Sequence, residues 1–159
     1  MRDREFEGLV RAHAGAVSAY ARAVCGDRWL AEEAVQETFL RAWRYLDSFR
    51  GDGSFEGWLL RICRNCLTDL ANRADRPEVA LALEWHDQAQ PPDLSAELEL
   101  LLGSLSVVQR EAVALCGLLG YSYDAAAVLL DVPVGTIRSR LSRARAGMAE
   151  ALAWREESA

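Results

Sequence analysis

Apolar residues recur along almost the whole chain at intervals of three and four positions, the interval that brings side chains onto one face of an α-helix. The strict alternation of apolar and polar residues that marks a strand is missing from the sequence. The pattern therefore predicts an all-α fold. A first helix is predicted to end near Gly26, because glycine commonly terminates helices. Its apolar stripe consists of Phe6, Leu9, Val10, His13, Val17, Tyr20, Ala21 and Val24.

Two further helices are predicted to pack against the first and to complete an N-terminal helical domain over residues 1–76. The apolar stripe of the second helix is made of Leu30, Val35, Phe39, Ala42, Trp43 and Leu46. Ser54 follows a turn that contains Gly51 and Gly53, so its hydroxyl is placed to cap the third helix. The third helix presents on one side Phe55, Trp58, Leu59, Ile62, Cys66, Leu67 and Leu70.

The helical pattern fades over residues 77–94, where prolines and acids replace the apolar stripe. This composition is typical of a linker. A second helical domain is predicted over residues 95–159. Ser95 is placed to cap its first helix, and Ser106 with Gln109 forms the pattern of a reciprocal capping box. The chain is thus predicted to form two small helical domains joined by an acidic linker.

The second domain ends in the pattern of a helix-turn-helix, whose second helix lies in the major groove of DNA. Ser122 is placed to cap a short helix through Leu130, residues 131–133 form a tight turn, and a long helix runs from about Val134 to Trp154. The core face of the long helix is predicted to hold Val134, Ile137, Leu141, Ala144 and Met148. Its opposite face, with two flanking arginines, holds Gly135, Thr136, Arg138, Ser139, Arg140, Ser142, Arg143 and Ala146.

The distribution of charge favours a nucleic-acid contact at this long helix alone. The formal net charge of −6 argues against a strongly basic DNA-binding protein. Residues 77–131 contain nine acids and the single base Arg110, whereas residues 133–147 contain four arginines and no acid. A cationic helix in an acidic protein predicts short-range DNA contact with weak non-specific affinity. A solvated arginine-rich face is the alternative interpretation.

Residues 123–147, with the segment PVGTIRSRLSRAR at 133–145, closely resemble the C-terminal domain of bacterial sigma factors of the extracytoplasmic-function (ECF) group. In that group this helix reads the minus-thirty-five promoter element. Asp131 stands where relatives usually have a glycine, and Ser142 stands where they often have a histidine or an aromatic residue. The resemblance implies contacts with the bases and backbone of this element by Thr136, Arg138, Ser139, Arg140, Ser142 and Arg143.

The N-terminal half resembles the same group independently, through the segment AVQETFLRAW at residues 34–43 and the segment FRGD at residues 49–52. In relatives, the polar edge of the second helix grips the coiled coil of the RNA polymerase β′ clamp. The residues that the resemblance places at this contact are Gln36, Glu37, Leu40 and Arg41. Phe39 and Trp43 are predicted to face inward. An ordinary amphipathic helix with a solvated face is the alternative interpretation.

The third helix and the loop before it correspond to the part of the family that binds the melted minus-ten promoter element. Aromatic stacking together with nearby arginines favours an extruded base. Trp58 and Ile62 share a helical stripe with Phe55 and are therefore predicted to belong to the core. The resemblance implies contacts with minus-ten DNA by Phe49, Arg50, Arg61, Arg64 and Asn65.

Cys63 and Cys66 have the spacing of half a zinc site, but no second pair of ligands accompanies them in the sequence. Packing thiols are the favoured interpretation. The sequence also contains no glycine-rich phosphate loop and no constellation of histidine and carboxylates suited to acid–base catalysis. We therefore predict no enzyme activity, no cofactor and no metal.

The predicted function is that of an RNA polymerase sigma factor, which directs promoter-specific initiation of transcription. Its predicted partners are core RNA polymerase through the β′ clamp, promoter DNA and an anti-sigma factor. No apolar run approaches the roughly 20 residues of a membrane span, so we expect no membrane insertion and a cytoplasmic protein, associated with the nucleoid in the holoenzyme. Two alternatives stay open: a helix-turn-helix regulator that does not join polymerase, and a helical module whose arginine helix docks on an acidic protein.

Overall fold

The computed structural model describes residues 2–73 and 96–158. Its α-helices are α1 (Arg2–Val24), α2 (Arg28–Arg44), α3 (Phe55–Arg73), α4 (Ala96–Gly103), α5 (Val107–Ala112), α6 (Tyr123–Leu130) and α7 (Val134–Ser158). A 3₁₀ turn covers Leu46–Ser48 and a π-helical turn covers Val113–Leu118. Neither described range contains a strand, and the all-α prediction is confirmed. The predicted linker over residues 77–94 and the predicted cap at Ser95 lie outside the described residues.

Helices α1, α2 and α3 pack against one another and form the N-terminal bundle. The C-terminal half of the predicted α1 stripe is buried at Val17, Tyr20, Ala21 and Val24. Helix α2 differs from its prediction, because its larger apolar residues are only partly buried while the fully buried ones are Ala31, Ala34, Thr38 and Ala42. The physical reason is that α2 contacts both α1 and α3, and small side chains let helices approach closely.

The predicted helix caps that fall within the described residues are formed. The Ser54 hydroxyl accepts a hydrogen bond from the backbone of α3 at 2.9 Å. Ser106 and Gln109 make both bonds of the capping box, and the Ser122 hydroxyl accepts from the backbone of α6 at 3.0 Å. Asp27 adds a cap that the sequence analysis missed, since its carboxylate accepts from two amides of α2 at 2.9 and 3.2 Å. These bonds satisfy amides at helix starts that would otherwise lack partners.

Helices α4 to α7 form the C-terminal domain around the predicted core face of α7. Ile137, Leu141 and Ala144 are buried, and Val134 and Met148 are partly buried against the same core. The core face predicted from the helical period is therefore confirmed. The other buried residues of this domain include Leu102, Leu105, Leu115, Ala126 and Leu130. Helix α7 continues to Ser158, past its predicted end at Trp154.

Arg110 is buried at the junction of the two domains, with 1% of its surface exposed. Its Nε donates to the carbonyl of Leu102 at 2.8 Å, and its Nη1 donates to the carbonyl of Val24 at 3.2 Å. These carbonyls lie at the C-terminal ends of α4 and α1, where backbone acceptors lack helical partners and a cation is favoured by the helix dipole. Burial lowers the pKa of the guanidinium. Arg110, the single base among the acids of residues 77–131, therefore binds the C-terminal ends of two helices.

The cysteines are free thiols in the structure, and Cys25, Cys63 and Cys66 are buried. Burial raises the pKa of Cys63 to about 12 and that of Cys25 to about 11, and it also raises the pKa of Cys66. Cys116 is half-buried, and its pKa is raised by burial as well. The buried positions agree with the interpretation of Cys63 and Cys66 as packing thiols.

We expect an alkylating reagent at neutral pH to modify Cys116 first and Cys63 at least about tenfold more slowly, because the thiolate is the reactive form and burial suppresses it. Peptide mass spectrometry after timed quenching measures each rate. The denatured chain is the control, in which the rates should converge. Rapid modification of Cys63 in the folded protein would contradict the packing interpretation.

Asp131 adopts a left-handed conformation with φ of 54° and ψ of 51° at the end of α6. Aspartate tolerates this conformation better than residues branched at Cβ. We expect Asp131→Val to lower the free energy of unfolding by about 1–2 kcal/mol and Asp131→Gly to change it by less than about 0.5 kcal/mol. Urea unfolding followed by circular dichroism measures both changes. Equal losses in the two variants would show that the backbone conformation is not their cause.

Candidate nucleic-acid interface

The C-terminal domain holds a helix-turn-helix built from α6, the turn at residues 131–133 and α7. The amide of Asp131 donates to carbonyls of the last turn of α6, and the amide of Val132 donates to the Ala127 carbonyl at 3.0 Å. Helix α7 then begins with a bond from the Thr136 amide to the Pro133 carbonyl at 2.9 Å. These short bonds fix the direction in which α7 leaves the turn. The geometry is the one that presents a second helix to a DNA groove.

The residues predicted to contact the minus-thirty-five element share the side of α7 that is turned away from the core. Thr136 and Arg140 are half-buried at its margins, and the Ser139 hydroxyl donates to the Thr136 carbonyl at 3.1 Å. Outside this set, Arg145 donates to the Tyr123 hydroxyl at 3.1 Å and so ties α7 to α6. The exposed members of the set are Arg138, Ser139, Ser142 and Arg143.

The loop between α2 and α3 carries the aromatic part of the predicted minus-ten site. Phe49 is half-buried, and its ring centroid lies 5.3 Å from that of Phe55 and 5.4 Å from that of Trp58. Arg50 beside it is exposed. Trp58 and Ile62 are partly buried against the core, in agreement with their predicted place. A cavity of about 420 Å³ opens between this loop and α6.

The cationic part of the predicted minus-ten site lies where α3 meets the C-terminal domain. Arg61 donates to the Val128 carbonyl at 3.0 Å, and Arg64 pairs with the Glu111 carboxylate at 2.6 Å. Asn65 is exposed beside them. Of the predicted minus-ten residues, two arginines therefore bind the other domain, while Arg61 stays exposed and 41% of the Arg64 side chain stays exposed.

The predicted polymerase contact lies along the outer edge of α2. Gln36 is exposed, and Leu40 is 60% exposed, which is unusual for a large apolar side chain unless it meets a partner. Glu37 and Arg41 pair at 3.0 Å, and Arg41 also pairs with Asp69 of α3 at 2.9 Å. The hydrogen bonds that Arg41 donates to the Glu37 and Asp69 carboxylates raise its pKa. The outer edge of α2 therefore combines the Glu37–Arg41 ion pair with the apolar side chain of Leu40 and the amide of Gln36.

Trp29 is a further exposed residue on α2 that the sequence analysis missed. It is 66% exposed and lies seven positions before Gln36 and eleven before Leu40, so all three share a side of the helix. The signal that could have found it is this spacing, extended two turns from Gln36 toward the start of α2.

A set of polar contacts between the two domains was also missed. Glu111 is 3% exposed and accepts from the Tyr20 hydroxyl at 2.9 Å in addition to Arg64. Arg22 pairs with Glu99 at 2.9 Å. The partners lie 47 to 91 positions apart along the chain, so no local sequence pattern predicts them.

A second missed contact lies at the edge of the same interface. The Tyr121 hydroxyl donates to the Glu56 carboxylate at 2.7 Å, and the His13 ring nitrogen lies 3.3 Å from the other Glu56 oxygen. Burial and the Glu56 carboxylate raise the pKa of Tyr121. The hydroxyl therefore stays protonated as a donor at physiological pH.

The part of the chain that the structure describes contains neither a metal site nor a membrane-spanning helix. Residues 2–73 and 96–158 hold no group of three or more histidine, cysteine or acidic side chains placed to bind a metal. Among the helices of these same ranges, none is long and apolar enough to cross a membrane.

Comparison with known proteins finds a family match in each half of the chain. Residues 9–77 match the family described as Sigma-70 region 2, and residues 95–148 match the family described as Sigma-70, region 4. The ECF RNA polymerase sigma factor SigE of Mycolicibacterium smegmatis is 35% identical over 93% of this chain and 62% of its own length. The ECF RNA polymerase sigma factor EcfG of Rhodopseudomonas palustris is 36% identical over 84% of this chain and 77% of its own.

A solved structure shares the arrangement of helices. The sigma factor RpoE from Bartonella quintana, crystallised in complex with the anti-sigma factor NepR, matches with a TM-score of 0.77 and 31% identity. The match covers 94% of this chain and 97% of that one.

The fold and the exposed face of α7 define a two-domain helical protein of the DNA-binding class. The matched domains and the relatives then identify the family: the chain belongs to the ECF group of the bacterial sigma-70-type RNA polymerase sigma factors. Sigma factors of this kind direct promoter-specific initiation, and their partners are core RNA polymerase and promoter DNA.

Proposed function

We propose that this chain divides promoter recognition between three of its surfaces: the outer edge of α2 for the polymerase clamp, the α2–α3 loop with α3 for minus-ten DNA, and the exposed face of α7 for minus-thirty-five DNA. The observation that carries this division is that α2 and α7 each expose a distinctive face while burying the opposite one. We assign the surfaces to an N-terminal domain over residues 1–76 and a C-terminal domain over residues 95–159, joined by a linker over residues 77–94.

The exposed face of α7 suits the major groove of duplex DNA. Ser139 and Ser142 are small enough to let the helix approach base edges, and Arg138 and Arg143 are exposed beside them. Arginine donates two hydrogen bonds to guanine or to a phosphate. Within the described residues, neither arginine has an acid at ion-pair distance, so both are available to DNA.

The outer edge of α2 suits a helical partner. Leu40 and Trp29 supply apolar contact area, and Gln36 supplies an amide that both donates and accepts hydrogen bonds. The Glu37–Arg41 pair lies on the same edge. A DNA-binding regulator that never joins polymerase has no use for this edge, which is why we prefer the sigma assignment to that alternative.

The minus-ten surface combines stacking with charge. Phe49 of the loop is half-buried against Phe55 and Trp58 of α3, and Arg50 and Asn65 are exposed. Arg61 and Arg64 supply two further guanidinium groups from α3. Base stacking and guanidinium contacts together stabilise single-stranded DNA with little demand on sequence.

Control by an anti-sigma factor is the regulation that we propose, because RpoE of Bartonella quintana was crystallised with one. We also propose that the chain acts in the cytoplasm, at the nucleoid when it is part of the holoenzyme, and that it catalyses no reaction itself. Initiation chemistry then belongs to the polymerase.

The clamp assignment predicts that the double variant Gln36→Ala/Glu37→Ala loses at least about tenfold in specific run-off transcription, since hydrogen-bonding groups of the interface are removed. The assay uses purified core polymerase and a pool of genomic promoter fragments. Glu7→Ala/Arg11→Ala, which changes exposed residues of α1, is the matched control and should keep full activity. Specific initiation that survives the α2 changes would refute the clamp assignment, and absence of initiation by the folded native chain would favour a regulator.

The minus-thirty-five assignment predicts that Arg138→Ala and Arg143→Ala each weaken holoenzyme binding to a recovered promoter by about 1–3 kcal/mol. Electrophoretic mobility shift at fixed salt measures this loss. Arg11→Ala removes an exposed arginine of α1 and serves as the control. On a promoter with a scrambled minus-thirty-five element the loss should disappear, because the contact is already absent. An equal loss on both promoters would mean that these arginines bind DNA without reading that element.

A further inference from the structure

A hydrogen bond between two side chains joins the two helices of the helix-turn-helix at the margin of its exposed surface. Nη2 of Arg145, on α7, donates to the hydroxyl oxygen of Tyr123, the first residue of α6, at 3.1 Å. Tyr123 is half-buried and Arg145 is exposed. The bond therefore holds a long cationic side chain of α7 against the beginning of α6.

Arg145 lies on the same margin of α7 as Arg138. It follows Arg138 by seven positions, which is close to two full turns of an α-helix. This margin borders the exposed serines Ser139 and Ser142, which are assigned above to minus-thirty-five DNA. Ala144, the residue before Arg145, is buried in the core, so the backbone at this point of α7 is fixed. The contact with Tyr123 then fixes the far end of the side chain as well.

The guanidinium of Arg145 keeps donors that can bind a further group. A guanidinium carries several N–H donors, and the bond to Tyr123 uses one nitrogen. Within residues 2–73 and 96–158, no acid lies at ion-pair distance from Arg145. Because its charge is not compensated by a neighbouring carboxylate, the guanidinium attracts an anion. Oxygens of phosphate groups are strong acceptors for guanidinium.

The position of the pair in the motif indicates which anion this is. The first helix of a helix-turn-helix crosses the DNA backbone, and the second helix lies in the major groove. Tyr123 begins the first helix and Arg145 lies on the margin of the second. The pair therefore lies where α7, once in the groove, meets a strand that borders it. Contacts with backbone phosphates position a protein on DNA but carry no sequence information.

We propose that Arg145 binds a backbone phosphate at the border of the minus-thirty-five element and that Tyr123 is a positioning residue, which holds the guanidinium in place before DNA binds. The proposal rests on the proposed assignment of α7 to minus-thirty-five DNA. A free arginine side chain loses rotamer freedom when it binds, and a hydrogen bond formed beforehand removes part of this cost. The contact strengthens binding to every sequence and selects none.

Two variants separate the cation from the group that positions it. Arg145→Ala removes the guanidinium, whereas Tyr123→Phe removes only the hydroxyl that accepts its hydrogen bond. The matched controls are Arg11→Ala on α1 and Tyr45→Phe at the end of α2, since both side chains are exposed and lie outside the helix-turn-helix. Circular dichroism and thermal unfolding establish that each variant is folded.

Each variant is assembled with core polymerase, and the affinity for a promoter recovered in the run-off assay is measured at several salt concentrations. For Arg145→Ala we expect about fivefold weaker binding near physiological salt and a slope of log affinity against log salt that is smaller by about one, since one phosphate contact is lost. The loss should be equal on the promoter with a scrambled minus-thirty-five element. Arg11→Ala and Tyr45→Phe should change neither affinity nor slope.

Tyr123→Phe tests the positioning role. In the native background it should weaken binding by about threefold, because the guanidinium must then be ordered during binding. In the Arg145→Ala background it should cause no further loss, since the hydroxyl acts only through the guanidinium. A merely structural role of Tyr123 would produce the same loss in both backgrounds.

The phosphate is located with promoter duplexes in which one phosphate at a time is replaced by an uncharged methylphosphonate. One replacement at the border of the minus-thirty-five element should weaken binding of native holoenzyme by about fivefold and leave the affinity of Arg145→Ala unchanged.

Unchanged affinity and salt slope in Arg145→Ala would overturn the proposal. A loss confined to the intact minus-thirty-five element would also overturn it, because Arg145 would then read bases. If Tyr123→Phe weakens binding equally in both backgrounds, the positioning role is wrong.

Failure of this proposal is distinguishable from failure of the assignment on which it rests. If Arg138→Ala and Arg143→Ala lose affinity and Arg145→Ala does not, only the phosphate contact is wrong. If none of the three variants loses affinity, the assignment of α7 to DNA is wrong, and the phosphate contact is wrong with it.

Discussion

The buried guanidinium of Arg110 is the contact on which the arrangement of the two domains depends. It donates to the terminal carbonyls of α1 and α4, so one side chain satisfies acceptors from both domains. Its neighbour Glu111 faces the N-terminal bundle as well and binds Tyr20 and Arg64. Two adjacent residues of opposite charge in α5 thus place the C-terminal domain against the bundle. Removal of either charge leaves buried polar groups of the other domain without a partner, which is costly in a low-dielectric interior.

Arginine serves two purposes in this protein, and its hydrogen-bond partners distinguish them. Arg22, Arg64 and Arg110 bind carboxylates or carbonyls inside the fold and between its domains. Arg138 and Arg143 lie exposed on α7, where the surrounding side chains are small. The acidic net charge and the DNA-binding role are therefore compatible, because only the arginines that remain exposed add to local attraction for phosphate.

Much of the local structure could be predicted because its causes are local. The caps at Ser54, Ser106 and Ser122 depend on bonds spanning three positions, and the core face of α7 follows from the helical period. The buried side of α2 could not be predicted in the same way. Large apolar residues suggested one stripe, but contact with two neighbouring helices selected small residues instead. The surfaces assigned to polymerase and promoter came from family resemblance, and their exposure or pairing came from the structure.

The sequence by itself determined the helices, their caps, the helix-turn-helix and the family, because each depends on residues close together along the chain or on motifs that keep their order. Tertiary structure alone decided which arginines are free. The family resemblance assigns Arg61 and Arg64 to minus-ten DNA, yet in the structure they bind Val128 and Glu111, which lie 67 and 47 positions away. The partner of such an arginine cannot be predicted from the helical period of the sequence, because the packing of the two domains decides which groups meet.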